Sequence, residues 1–293
     1  MFQYINLINM KINRYISFCY KYLNIILIIY YMNILLVTAH PDDEVIWLGS
    51  TLYELSKLEN INIYCICLWG ILEKPGSMRS VTPGYKDIDR KEQFYEVSKA
   101  MNFKSSYIIT ESSYEVKQRE RQKNEVIENE FLNALTKINL KIDNINLLIT
   151  HSYYGDERKH PHHIRLYDFF SEYTLNKIIP FGFFSILKIP NISHVPTLTS
   201  TSRKNELHIL SIEKIINQNL NIPNKPEFLI EFQGNLTKKV EILKLYKAVD
   251  FKKHYNDYTG FSIINEKLYV TTKGFEMINN IVNRLQIIVK NIL

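Results

Sequence analysis

Cysteine is scarce in this chain: Cys19, Cys65 and Cys67 are the only three among 293 residues, too few for a disulfide framework. Cys65 and Cys67 alternate within an apolar run, Ile61 to Leu68, which puts them on one face of a predicted strand. There they serve as small apolar side chains and need no redox role. Charge of one sign is also in short supply. A net charge of +6 over this length, with no basic run interleaved with aromatics, argues against a nucleic-acid partner. No internal repeat is present. The remaining balance, 46% hydrophobic and 23% charged, is ordinary for a soluble α/β enzyme, read here as one domain with elaborations over residues 32–293.

A membrane-length apolar run is missing as well. Tyr22 to Met32 is strongly apolar and follows Lys11, Arg14 and Lys21, but a transmembrane helix needs about 20 mostly apolar residues. The run reaches that length only by absorbing Asn33 to Val37, which is needed as a strand. Residues 1–31 are therefore read as a separate extension with three open readings: a membrane anchor, an amphipathic or poorly ordered segment, or sequence upstream of a natural start at Met32. The protein is expected to be cytoplasmic, or membrane-associated if residues 1–31 anchor it.

From Met32 the hydrophobic period alternates. Strands are predicted at Asn33 to Val37, Ile61 to Leu68, Ser106 to Ile109 and Ile145 to Ile149. Helices are predicted between them, at Glu44 to Leu58, Ile88 to Met101 and Glu115 to Lys137, and another follows from His163 to Asn176, with Pro161 in its first turn. Such alternation implies an α/β fold with a mostly parallel sheet and helices on both faces. A polar loop from Glu73 to Asp87 is long enough to shape a substrate site. Beyond Pro180 the pattern weakens: strands are expected at Phe181 to Ile189 and Glu206 to Leu210, helices at Leu236 to Lys252 and Phe275 to Val289. Asn191 and Asn235 open glycosylation tripeptides, which matter only for a lumenal domain.

Two clusters of polar residues follow buried strands. Thr38-Ala-His-Pro-Asp-Asp-Glu44 sets His40, Asp42, Asp43 and Glu44 at the end of the first strand, and His160-Pro-His-His163 comes shortly after the fourth. Crowded carboxylates there need a positive partner, and a divalent metal is the natural one, because His and Asp are good zinc ligands. Adjacent carboxylates in a turn point in different directions. His40 and Asp43 can thus bind a metal while Asp42 remains a general base, and Glu44 does no more than favour the helix N-terminus. His163 completes a three-ligand set that leaves a fourth position open, as a catalytic site requires. His160 is left to steady an oxyanion or protonate a leaving amine. Taken singly, the first cluster has a solvated helix cap as its lesser reading, and the second reads equally as a surface loop or adventitious metal binder; their matching positions after strands argue for one shared site. His151, His194, His208 and His254 lack such a context and are read as structural or exposed, His151 coming nearest to an exception.

Ala39-His-Pro-Asp-Asp-Glu44, followed in order by His160-x-x-His163, resembles the LmbE-like or PIG-L family of metal-dependent de-N-acetylases over about residues 32 to 260. The resemblance implies a Rossmann-like sheet without a dinucleotide, and a metal, usually zinc, with Fe2+ as another candidate. It implies His40, Asp43 and His163 as ligands, Asp42 as general base, His160 as the oxyanion-stabilising histidine and Arg90 as a substrate contact. The reaction it implies is removal of acetate from an N-acetylglucosamine-containing conjugate: a glycolipid, a glycan precursor or a small glycoside. The chain departs from the family at Lys159, where Gly is frequent, at His162, where Asp or Asn is frequent, and at Arg158, where some members carry Tyr. His162 consequently competes with His163 as the third ligand. A sugar-recognition module without turnover, and a metallohydrolase of non-sugar amides or esters, are the alternative functions.

Overall fold

Met32–Thr38 (β1) is apolar almost throughout and is flanked by parallel neighbours on both edges, so it needs hydrophobic side chains on both faces. Ile34 and Leu36 point into one core with Val45, Leu52, Phe94 and Ile242, while Leu35 and Val37 point into the other with Ile127, Phe131, Leu166 and Phe170. The computed structural model describes residues 31–72, 82, 84–86, 88–111, 122–152, 160–185, 227–232, 236–249, 266–282 and 288–291. Residues 1–30, the predicted strand at Glu206 to Leu210, Asn191, Asn235 and most of the Glu73 to Asp87 loop lie outside them. Among the described residues no helix is long and apolar enough to cross a membrane.

The chain alternates through α1 (Asp43–Leu55), β2 (Ile61–Leu72), α2 (Asp89–Ala100), β3 (Ser105–Glu111), α3 (Asn124–Lys137), β4 (Leu147–His151), α4 (Pro161–Lys177) and β5 (Phe181–Ser185). It continues with β6 (Phe228–Phe232), α5 (Leu236–Leu243), β7 (Glu266–Val270), α6 (Thr272–Val282) and β8 (Ile288–Asn291). These strands form one sheet of order β3-β2-β1-β4-β5-β7-β6-β8, parallel from β3 to β5 and antiparallel thereafter. The chain winds outward from β1 through β2 to β3, then returns to place β4 on the other side of β1. That reversal opens a crevice at the carboxyl ends of β1 and β4, where open α/β sheets bind ligands.

The expected α/β alternation holds, with corrections at several boundaries. The fourth strand runs two residues later than expected, because Ile142–Asn144 forms a 3-10 turn and Ile145 only exits it; His151 thereby becomes the last residue of β4. The helix expected to reach Lys252 stops at Leu243, although Tyr246 and Val249 beyond it stay buried and prolong the apolar pattern. The terminal helix ends at Val282, and Ile288 and Val289 instead pair with Glu231 and Ile230 in β8. Strands β6 and β7 carry no pattern in the sequence that predicts them.

Helix α1 is broken at Leu48, whose φ of −134° and ψ of 16° leave the helical region. The amides released by the break are satisfied from β7: Ser50 and Thr51 donate their backbone N–H groups to the Glu266 carboxylate at 2.9 and 2.7 Å. Lys239, fully buried on α5, closes the same carboxylate with Nζ 2.8 Å from Oε1. Gly49 allows this approach, since a Cβ there would lie 3.3 Å from Lys239 Cγ and 2.8 Å from Val45 Cγ1.

Candidate metal centre

The turn between β1 and α1 is held in an unusual conformation. Asp42 occupies the N-cap position with φ 120°, a region that a side-chain-bearing residue enters at a cost of about 1–3 kcal/mol. Several bonds hold it there. Val45 and Ile46 donate their N–H groups to the Asp42 carbonyl at 3.1 and 2.9 Å, and the Asp42 N–H donates to Glu44 Oε2 at 3.1 Å. Arg90, buried on α2, donates from Nη2 to the Pro41 carbonyl at 2.7 Å, and the same nitrogen lies 3.6 Å from Asp42 Oδ2. This strain turns Asp42 and Asp43 apart, Asp43 into the crevice floor and Asp42 toward Arg90.

Asp43 is the hub. Its Oδ2 accepts the His40 N–H at 2.8 Å and lies 3.4 Å from His40 Nδ1, 3.4 Å from His163 Nε2 and 3.3 Å from His151 Nε2. Its Oδ1 accepts from Trp47 Nε1 at 3.3 Å, one helical turn along α1. Burial alone would raise the Asp43 carboxyl, but the neighbouring His163 and His151 outweigh it and hold the group well below the usual carboxylate range. His40, by contrast, is pushed well below the usual imidazole range, first by burial, with His160 and His163 adding to it against the pull of Asp43. A neutral His40 keeps a lone pair for a metal.

The spacing of the donors tests that fit. His40 Nδ1, His163 Nε2 and Asp43 Oδ2 are separated pairwise by 3.2, 3.4 and 3.4 Å. Donors placed 2.0–2.1 Å from a tetrahedral zinc stand roughly 3.3 Å apart. The three residues therefore suit a divalent ion in number, chemistry and spacing, with one carboxylate to offset its charge. His151 reinforces the floor: its Nε2 accepts the Ala39 N–H at 2.9 Å, and its ring stacks on His163 with centroids 3.9 Å apart at 9°.

The other histidines sit on the mouth side. His160 caps α4, its Nδ1 accepting the His162 N–H at 3.3 Å. That bond leaves the proton of a neutral ring on Nε2 and makes that edge a donor. His162 does not join Asp43; its Nδ1 lies 3.0 Å from the opposite nitrogen of His40, Nε2, and Trp69 meets its ring edge-on at 5.5 Å.

Residues 35–174 match the family described as PIG-L, GlcNAc-PI de-N-acetylase. The chain carries a PIG-L domain. The matched segment contains both halves of the centre, from β1 to α4. Among solved structures, a triple mutant of a deacetylase from the teicoplanin biosynthetic pathway resembles the chain with a TM-score of 0.51 and 10% identity, covering 82% of this chain and 97% of that one. A deacetylase–teicoplanin complex from that pathway gives a TM-score of 0.50 and 10% identity, over 82% and 98% of the respective chains. At this identity the likeness is one of fold. No curated protein matches the sequence.

Within the PIG-L domain the structure brings together His40, Asp42, Asp43, His160, His162 and His163, and sets Arg90 beneath Asp42. Two further residues belong to the centre. His151, the nearest to an exception among the histidines read as structural or exposed, is fully buried against Asp43 and His163 at the end of β4 beside the crevice. Glu44, read only as favourable to the helix N-terminus, is fully buried, and its Oε1 accepts the hydroxyl of Tyr246. Burial raises its carboxyl to about 7, against the hydrogen bonds from Tyr246 and Asp42.

Proposed function

We propose that the protein is a divalent-metal-dependent hydrolase that removes the N-acetyl group from an N-acetylglucosamine-containing glycoconjugate, releasing acetate and a free amine. The observation that carries this reading is the pairwise spacing of 3.2–3.4 Å among His40, Asp43 and His163, with a second carboxylate, Asp42, held beside them on a strained turn. His40, Asp43 and His163 would hold the ion, for which zinc fits the donor set and Fe2+ is the alternative. When bound, the ion supplies Lewis acidity toward an acyl oxygen and lowers the pKa of water.

The chain's own groups do the rest. Asp42 takes the proton from the attacking water as general base, and Arg90, buried beneath it with Nη2 3.6 Å from its Oδ2 and bonded to the Pro41 carbonyl, positions it rather than contacting the substrate. His160, with its Nδ1 occupied by the α4 amide, presents Nε2–H to the developing oxyanion. The proton taken up by Asp42 is then delivered to the leaving amine, which restores the carboxylate for the next turnover. The family description names GlcNAc-PI, which supports a glycolipid; a glycan precursor and a small glycoside are the other members of the proposed substrate class.

The test is acetate release by the full-length protein from a panel of N-acetylglucosamine conjugates, with metal content measured on the same sample. Metal-dependent release that is lost in Asp42→Asn, with metal retained, supports the reading. Bound metal with no release from any conjugate overturns the substrate class.

A further inference from the structure

The His162 imidazole lies outside the ion-binding group proposed above, yet it does not sit apart from it. His40 presents Nδ1 to Asp43 and His163, and Nε2 to His162 Nδ1 at 3.0 Å. On that second side, His160 closes the arrangement. Its ring meets His40 edge-on with centroids 4.7 Å apart, and meets His162 at 5.0 Å. The candidate ligand atoms of His40, His160 and His162 all lie within 4.8 Å of one another, and the three side chains are half-buried, with access from the crevice mouth. Trp69, buried at the end of β2, packs against His162 and limits its swing.

We propose that His40, His160 and His162 form a second metal site, for zinc or another late first-row divalent ion, sharing the His40 ring with the first. Three imidazoles suit zinc, copper and nickel and are poor ligands for magnesium or calcium. The two sites differ in strength for physical reasons. The first holds a carboxylate that offsets half the ionic charge, whereas the second offers neutral rings only, so its ion keeps its full charge in a half-buried position. Filling the second also draws His160 away from the His162 amide it caps. With both sites filled, the His40 ring bridges two ions and gives up its remaining proton to the buffer. The second site therefore fills only when metal is in excess of one equivalent.

The consequence for turnover rests on the functional reading above; the site itself does not. An ion that engages His160 removes the donor assigned to the oxyanion, so excess zinc inhibits while the first equivalent activates.

The test titrates metal-stripped, full-length protein with zinc by calorimetry in two buffers of different protonation enthalpy, and repeats the titration with cobalt followed by its visible absorption. The expected result is two equivalents, the second at least tenfold weaker and releasing an extra proton. In His162→Asn, which changes a half-buried side chain, the first equivalent binds with unchanged affinity and the second disappears. A single equivalent in the wild-type protein overturns the proposal and leaves His162 as a hydrogen-bond acceptor for His40; so do two equivalents in His162→Asn. Neither readout depends on acetate release, so a failure of the substrate reading leaves this result standing.

Discussion

Glu44 accepts the backbone N–H of Asp42 at 3.1 Å through one carboxylate oxygen, and the hydroxyl of Tyr246 through the other. The bond couples the strained φ of Asp42 to a residue that follows α5, far along the chain. Glu44→Gln keeps an acceptor for the Asp42 amide, whereas Glu44→Ala removes it and frees the turn. Activity is expected to fall about tenfold or less in Gln and at least a hundredfold in Ala, with kcat affected more than KM. Equal losses in the two variants would detach Glu44 from the geometry of Asp42.

The same carboxyl predicts a pH dependence of stability in metal-stripped protein. Its folded pKa is raised from 4.5 to about 7, so the folded state holds the proton more tightly than the unfolded chain. The contribution is fully present below about 4.5 and is lost as pH rises through about 7. A shift of that size corresponds to roughly 3 kcal/mol. Urea denaturation across pH 4 to 8 should show this slope in the wild type and a flatter one in Glu44→Gln.

Asp42→Asn retains shape and the backbone conformation while removing the base. Turnover should drop by roughly 10²–10⁴ with metal content unchanged. Loss of metal together with activity would reassign Asp42 to the ligand set.

His163→Ala and Asp43→Asn each remove a donor from the group spaced at 3.2–3.4 Å. Both should lower affinity for the first equivalent of metal by at least a hundredfold in competition with a chelator. If His162→Ala has that effect and His163→Ala does not, the third ligand is His162.

Glu266 and Lys239 are both fully buried and support the break in α1. Glu266→Ala leaves the ammonium of Lys239 and two helix amides without their acceptor and should cost about 3–5 kcal/mol in chemical denaturation. Glu266→Gln should cost less, because an amide oxygen still meets the Ser50 and Thr51 amides.

His40, Asp42 and Asp43 were legible because a run of buried apolar residues ends abruptly in acids, and His160 and His163 because they repeat that placement after β4. His151 was hidden by a two-residue error in where β4 ends, which decides whether it closes the strand or opens a loop. Glu44 was misread because its partner, Tyr246, is 202 positions away and no local pattern announces it. The five-residue strands β6 and β7 are too short for periodicity to separate them from loop, and the apolar run at Ile288 and Val289 reads equally as helix or strand until its pairing with β6 is known.

The order in which β1 and β4 are made has a consequence for assembly. His40 and His163 are separated by 123 positions, with β2, β3, β4 and three helices between them. As the chain leaves the ribosome, the first half of the centre therefore waits, with its carboxylates crowded, until β4 has docked beside β1 and α4 has begun. Ion capture reports completion of the central sheet, and metal supply can act on the yield of folded protein as well as on its chemistry.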